Sequence, residues 1–184
     1  ARGLAGEQVE ARAMRSPEYG ARGAVFLGGV QFVEIAVDTE TGLVKVERVV
    51  AVHDCGRPMN PLGIESQING GVLQGISYAL FEDRRLDRAT GRMVNPNLEQ
   101  YKILGAMETP TIEVLLIEDY IARSSTDASG IGEPATIPTA AAIANAFYNA
   151  TGRRIHEIPM PPARVLAALS RSAATSDATS EGTR

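Results

Sequence analysis

The sequence predicts a mixed α+β fold, β-hairpins packed with two main helices, and three features predict it. Two valine-rich runs flank a turn within residues 30–56, an apolar residue then recurs at every fourth position from Ile64 to Leu80, and an alanine-rich stretch runs from Pro138 to Gly152. Period-two alternation marks a half-buried strand and recurrence near 3.6 marks one face of a helix, so the chain contains both element types.

In the first run Phe32, Glu34, Ala36 and Asp38 alternate with Val33, Ile35 and Val37. In the second, Val44, Val46 and Val49 to Val52 carry the apolar load, and "DTETG" between them supplies turn residues. A long antiparallel hairpin follows. The segment "NPLGIESQINGGVLQGISYALFED" then changes period: Ile64, Ile68, Val72, Ile76 and Leu80 fall along one helix face, and Pro61 suits its first turn.

A second face of that helix carries Gln67, Gly71, Gln74, Gly75 and Tyr78. Each glycine in a helix interior costs about 1 kcal/mol relative to alanine, so Gly70, Gly71 and Gly75 imply that something comes very close. Two readings stand: another element of the chain packs there, or a ligand approaches with Gln67 and Gln74 as amide partners.

Further on, "RRLDRATGRMVNPN" reads as a second hairpin around Ala89, Thr90 and Gly91, and residues 111–119 as another strand. The polar segment 120–132 is a loop. A helix is expected from Pro138 to about Ala150, stopped by Gly152, with Ile143, Phe147 and Ala150 on one stripe and Ala141, Ala144 and Tyr148 on another. A short last helix lies in "PMPPARVLAAL". Residues 1–23, with little periodicity, read as a flexible lead-in, 24–169 as one domain, and 170–184, without apolar content, as a disordered tail.

Composition narrows the function. At 184 residues, 44% hydrophobic and 22% charged, the chain is that of a globular protein. A formal net charge of -4 without clustered Lys or Arg argues against nucleic acid as a partner. No apolar run approaches the roughly 20 residues of a membrane span. The single cysteine, Cys55, excludes an internal disulfide and a cysteine-ligated cluster or zinc ribbon built from this chain alone, and His53 and His156 lack metal-ligand spacing, so no protein ligand to a metal is assigned. Ala at position 1 hints at processing or at a longer parent protein.

One residue resists a purely structural account. Glu133 lies in "GIGEPATIP", between glycines and a proline and ahead of a nearly uncharged helix. As a first-turn acid it would contribute about 0.3–1 kcal/mol through the helix dipole. Capping alone requires neither the flanking glycines nor Pro134 and Pro138. A rigid turn of this kind holds a side chain at a fixed angle, and burial in an apolar pocket would raise the carboxyl pKa toward that of a useful general base.

The run "VHDCGRPMNPLGIESQINGGVLQGISYALFE", followed by "GIGEPATIPTAAAIANA", closely resembles the C-terminal part of the molybdenum-binding large subunit of the xanthine dehydrogenase and aldehyde oxidase family of molybdenum hydroxylases. The resemblance covers roughly residues 27–169 and makes the domain the C-terminal portion of a molybdopterin-binding catalytic domain. It implies that Glu133 is the catalytic base and that Gln67 contacts the pterin, with Gly70 and Gly71 beside it. Gly130, Ile131 and Gly132 are placed next to the metal by adjacency. Asp54 and Gly56 would shape a turn, and Cys55 would be a packed thiol.

The reaction so implied hydroxylates an aldehyde or N-heterocycle. Glu133 takes a proton from a molybdenum-bound hydroxyl, hydride passes to a sulfido ligand, and water supplies the oxygen. The implied cofactor is molybdenum-molybdopterin in its cytosine dinucleotide form.

Large subunits of that family are several times longer, so this chain is expected to be one piece of a split or truncated subunit. Its partners would be the remaining part of the molybdenum-binding subunit, an Fe-S subunit and an FAD subunit. The expected compartment is the cytoplasm, or the periplasm where a partner carries an export signal. Apolar surface left open by the missing partner predicts poor solubility for the chain alone. The competing reading is a non-catalytic assembly subunit or fragment that keeps the fold without the chemistry.

Overall fold

A computed structural model describes residues 27–117 and 127–170. The expected lead-in 1–23, the tail from 171 onward and much of the loop after Tyr120 lie outside the described residues.

Alternation in the first two runs gives the hairpin. Strand β1 (Gly28–Val37) pairs antiparallel with β2 (Val44–Asp54), from Gly28 opposite Asp54 to Val37 opposite Val44, with a register shift between Glu34 and Ile35. Asp38 closes the turn by accepting hydrogen bonds from the amides of Glu40 and Thr41. Gly42 completes it at φ +77°, where a Cβ would lie 2.4 Å from the carbonyl oxygen of Pro162.

Helix α1 (Pro61–Leu80) starts at Asn60, whose side chain accepts a hydrogen bond from the Gly63 amide. Its expected stripe is the buried one: Ile68, Val72 and Ile76 are at most 1% exposed. Strand β3 (Thr111–Leu116) then lies parallel to β2, Arg48 opposite Thr111 and His53 opposite Leu116, which gives the sheet order β1-β2-β3. Parallel pairing requires the crossover that α1 supplies.

Helices α2 (Thr139–Thr151) and α3 (Pro162–Ser170) complete the described fold. Gly152, at φ +68°, stops α2 as expected. Ile143 and Phe147 are fully buried, and each such side chain contributes roughly 1.5–3 kcal/mol. The third buried position of that stripe is Thr139, one turn upstream of Ile143, and Ala150, near the helix end, is exposed. Helix α3 is fastened by the Met160 amide, which donates to the Ala79 carbonyl at 2.7 Å.

The second hairpin shrinks to a turn with one bridge, Leu86 to Met93, and Gly91 at φ +69°. The turn residues are right, but the flanks lack the alternating apolar residues that would anchor two strands against the core. One sheet face meets the helices. The opposite face carries Phe32 at 61% exposure together with exposed Val30, Leu115 and Ile117.

Candidate active site

The turn after β2 begins the site. Asp54 accepts a hydrogen bond from the Gly56 amide at 2.9 Å, and Gly56 adopts φ +65°. A Cβ there would sit 2.1 Å from the Asp127 carbonyl oxygen, so only glycine fits. Asp54 and Gly56 thus shape the turn as expected, and the turn holds a second segment: Ser129 donates to the Cys55 carbonyl and Arg57 to that of Asp127. Cys55 is a free, buried thiol whose pKa is pushed up by burial and by the neighbouring Asp54. This fits a packed residue and not a reactive one.

From Ser129 the chain runs through Gly130, Ile131 and Gly132 to Glu133. Ile131 packs against the hydrophobic core, so this residue can offer an outside ligand its backbone and not its side chain. A Cβ at Gly130 or Gly132 would meet nothing within 4 Å, which leaves open backbone on either side. Glu133 precedes a single 3₁₀ turn, Pro134–Thr136, and its side chain makes no capping hydrogen bond. The carboxylate is exposed. The burial expected of it is not made by the described residues.

Helix α1 braces this turn. Gln67 donates through Nε2 to the Gly132 carbonyl at 2.6 Å, joining two predicted site residues 65 positions apart. One turn on, Gly71 lies under Ala135: a Cβ would come within 2.8 Å of the alanine Cβ. The next, Gly75, lies under Thr139, with a would-be contact of 2.5 Å. Of the two readings left open for the helix glycines, packing by another element of the chain accounts for Gly71 and Gly75. Gly70 is different, exposed and with nothing within 4 Å. Gln74 accepts a hydrogen bond from Thr136 Oγ1 at 3.4 Å and donates to Tyr78 at 2.5 Å.

One residue that braces the turn escapes sequence reading. Gln31 of β1, 6% exposed, donates to the Ala135 carbonyl at 2.7 Å and accepts from Thr139 Oγ1 at 2.7 Å. A lone amide inside a strand normally reads as an outward position. The only sequence signal is that Gln31 shares the inward parity of Val33 and Ile35.

Beside it lies His53, fully buried, with neither ring nitrogen hydrogen-bonded. Its imidazole fills the space opposite Gly29, where a Cβ would lie 2.6 Å from Nδ1. Burial pushes its pKa down. Among the described residues no group of three or more His, Cys, Asp or Glu could hold a metal.

The braced turn presents a carboxylate, an amide and bare glycine backbone to the outside. Residues 4–110 match the family model of the molybdopterin cofactor-binding domain, and the chain belongs to that family. It is 39% identical over 137 residues to the xanthine dehydrogenase molybdenum-binding subunit of Escherichia coli O157:H7, covering 74% of this chain and 18% of that one. It is also 35% identical over 147 residues to the large subunit of nicotine 6-hydroxylase from Paenarthrobacter nicotinovorans, covering 78% and 18% respectively.

Among solved structures, aldehyde oxidoreductase from Desulfovibrio gigas superposes with a TM-score of 0.72 at 31% identity, over 79% of this chain and 16% of that one. The mixed α+β fold is thus that of the molybdopterin-binding domain of such enzymes, and the resemblance read from the motifs holds. The chain spans less than a fifth of the length of these relatives. No helix among the described residues is long and apolar enough to cross a membrane.

Proposed function

We propose that this chain forms one wall of the active site of a molybdenum hydroxylase of the xanthine dehydrogenase and aldehyde oxidase type, with Glu133 as its general base. The observation that carries the reading is the braced turn. Glu133 is held between an anchored Gly132 and an anchored Ala135, while its carboxylate makes no capping hydrogen bond. A base needs a defined point of attachment and a free acceptor oxygen; the anchored backbone on either side supports the first and the uncapped carboxylate the second.

The residues fit the cofactor. Gln67 spends one Nε2 proton on Gly132 and keeps its second amide hydrogen and Oε1 for a polar ligand. It is exposed, and the open backbone at Gly70, Gly130 and Gly132 leaves room for close approach. When bound, the molybdenum-molybdopterin cofactor, in its cytosine dinucleotide form, would supply a Lewis-acidic centre able to take two electrons.

Gln67 would orient the pterin, and the backbone of residues 130–132 would line the approach. Glu133 would accept a proton from the water-derived hydroxyl group that ends on the substrate, an aldehyde or an electron-poor N-heterocycle. The rest of the molybdenum-binding subunit would close the pocket and exclude water, which strengthens the proton transfer. Fe-S and FAD modules on partner chains would carry the electrons away.

The test is native purification of the complex from a host that makes the cofactor, followed by turnover in isotope-labelled water. The expected result is molybdenum in stoichiometric amount with the chain and labelled oxygen in the product. An intact complex without molybdenum, or product oxygen drawn from dioxygen, would overturn the reading.

A further inference from the structure

The backbone after Glu133 is held by a residue more than a hundred positions earlier in the sequence. Gln31 lies on the inner face of β1, opposite Ala51 of β2, which is fully buried. A buried amide must have both ends satisfied, or it destabilises the fold. Here the donor end reaches the Ala135 carbonyl and the acceptor end receives the Thr139 hydroxyl, each at 2.7 Å. The same hydroxyl lies 3.2 Å from the Ala135 carbonyl, so the three groups close a triangle.

All three residues are nearly or fully excluded from solvent: Gln31 at 6%, Ala135 and Thr139 at 0%. The ring therefore holds a fixed geometry that water does not loosen.

Its position gives it a role beyond stability. Ala135 is the middle residue of the 3₁₀ turn that Glu133 opens, and the Thr136 amide donates back to the Glu133 carbonyl at 3.0 Å. The Glu133 side chain makes no capping bond, so the backbone is what fixes the point and direction from which it projects. Upstream that backbone is held by Gln67 through Gly132, and downstream by Gln31 through Ala135.

Thr139 links the same ring to helix α1, because Gly75 leaves just the space its side chain occupies. We infer that Gln31, with Thr139, is a positioning residue that aims the Glu133 carboxylate from strand β1. The inference rests on the reading of Glu133 as the base.

A residue that only stabilises would change how much loaded complex is recovered, and not the turnover of each loaded centre. The experiment therefore measures kcat per bound molybdenum in the purified complex for Gln31→Met, Thr139→Val, Thr139→Ser and Glu133→Gln. Hydrogen exchange of the amides of Thr136 and Ile137 is followed alongside. Misplacing a catalytic group by an ångström costs up to about a hundredfold, so Gln31→Met is expected to lower kcat per molybdenum by about tenfold or more, with KM little changed and exchange at both amides faster.

Thr139→Val should move the same way by less, and Thr139→Ser, which keeps the hydroxyl, should stay close to the parent. The Thr139 pair also serves if Gln31→Met does not fold. Unchanged kcat per molybdenum in Gln31→Met and Thr139→Val, beside an inactive Glu133→Gln, would overturn the positioning role alone. An active Glu133→Gln would instead overturn the reading of the base, and with it the role of Gln31.

Discussion

Gln67 on helix α1 and Gly132 in the loop ahead of Glu133 are joined by a 2.6 Å hydrogen bond across 65 residues of sequence. That bond ties the amide proposed to hold the pterin to the residue next to the proposed base, so it would link the spacing of cofactor and base directly. Replacing Gln67 by Leu should remove both functions at once. Because the side chain is exposed, the fold should lose only about 1 kcal/mol, while molybdenum content and turnover should both fall. Metal analysis of the purified complex checks this; full molybdenum content would remove Gln67 from the cofactor site.

The three glycines of α1 should separate by their surroundings. Gly71→Ala drives a methyl toward Ala135 at 2.8 Å and should destabilise by about 1–3 kcal/mol. Gly70→Ala meets nothing and should stabilise the helix by up to about 1 kcal/mol. If a cofactor approaches Gly70, the same change should lower cofactor content although the fold is firmer. Denaturant unfolding and metal analysis of the two variants read both effects.

His53 predicts a pH dependence. Burial holds its folded-state pKa below the ordinary value of 6.5, so the unfolded chain takes up a proton before the folded one does. The resulting stability is fully present above about pH 6.5, declines as pH falls through the folded-state pKa, and levels off below it. His53→Leu should flatten that part of the stability curve, as measured by denaturant unfolding between neutral and mildly acid pH. An unaltered slope would mean that other groups carry it.

Much of the fold was legible because its signals are local. The hairpin, α1 and α2 announce themselves by period, and Gly42 and Gly152 by standing at the turn and the helix end, where both adopt positive φ. The direction of β3 was not legible: its alternation says strand, but the parallel partner is set by a crossover of more than fifty residues. Glu133 and Gln67 could be read from motifs, whereas Gln31 could not, because what satisfies its amide lies 104 residues away. The exposure of Glu133 was missed for a related reason. The motif marks the residue but not what surrounds it, and the described residues leave it exposed.

Whether the carboxylate of Glu133 is the base is decided by Glu133→Gln in the cofactor-loaded complex, with turnover expressed per bound molybdenum. The side chain is exposed and makes no capping bond, so the substitution should leave molybdenum content and stability as they are. Turnover should fall by roughly 10²–10⁴-fold, the usual contribution of a positioned general base. Turnover equal to the parent at equal molybdenum content would contradict the assignment.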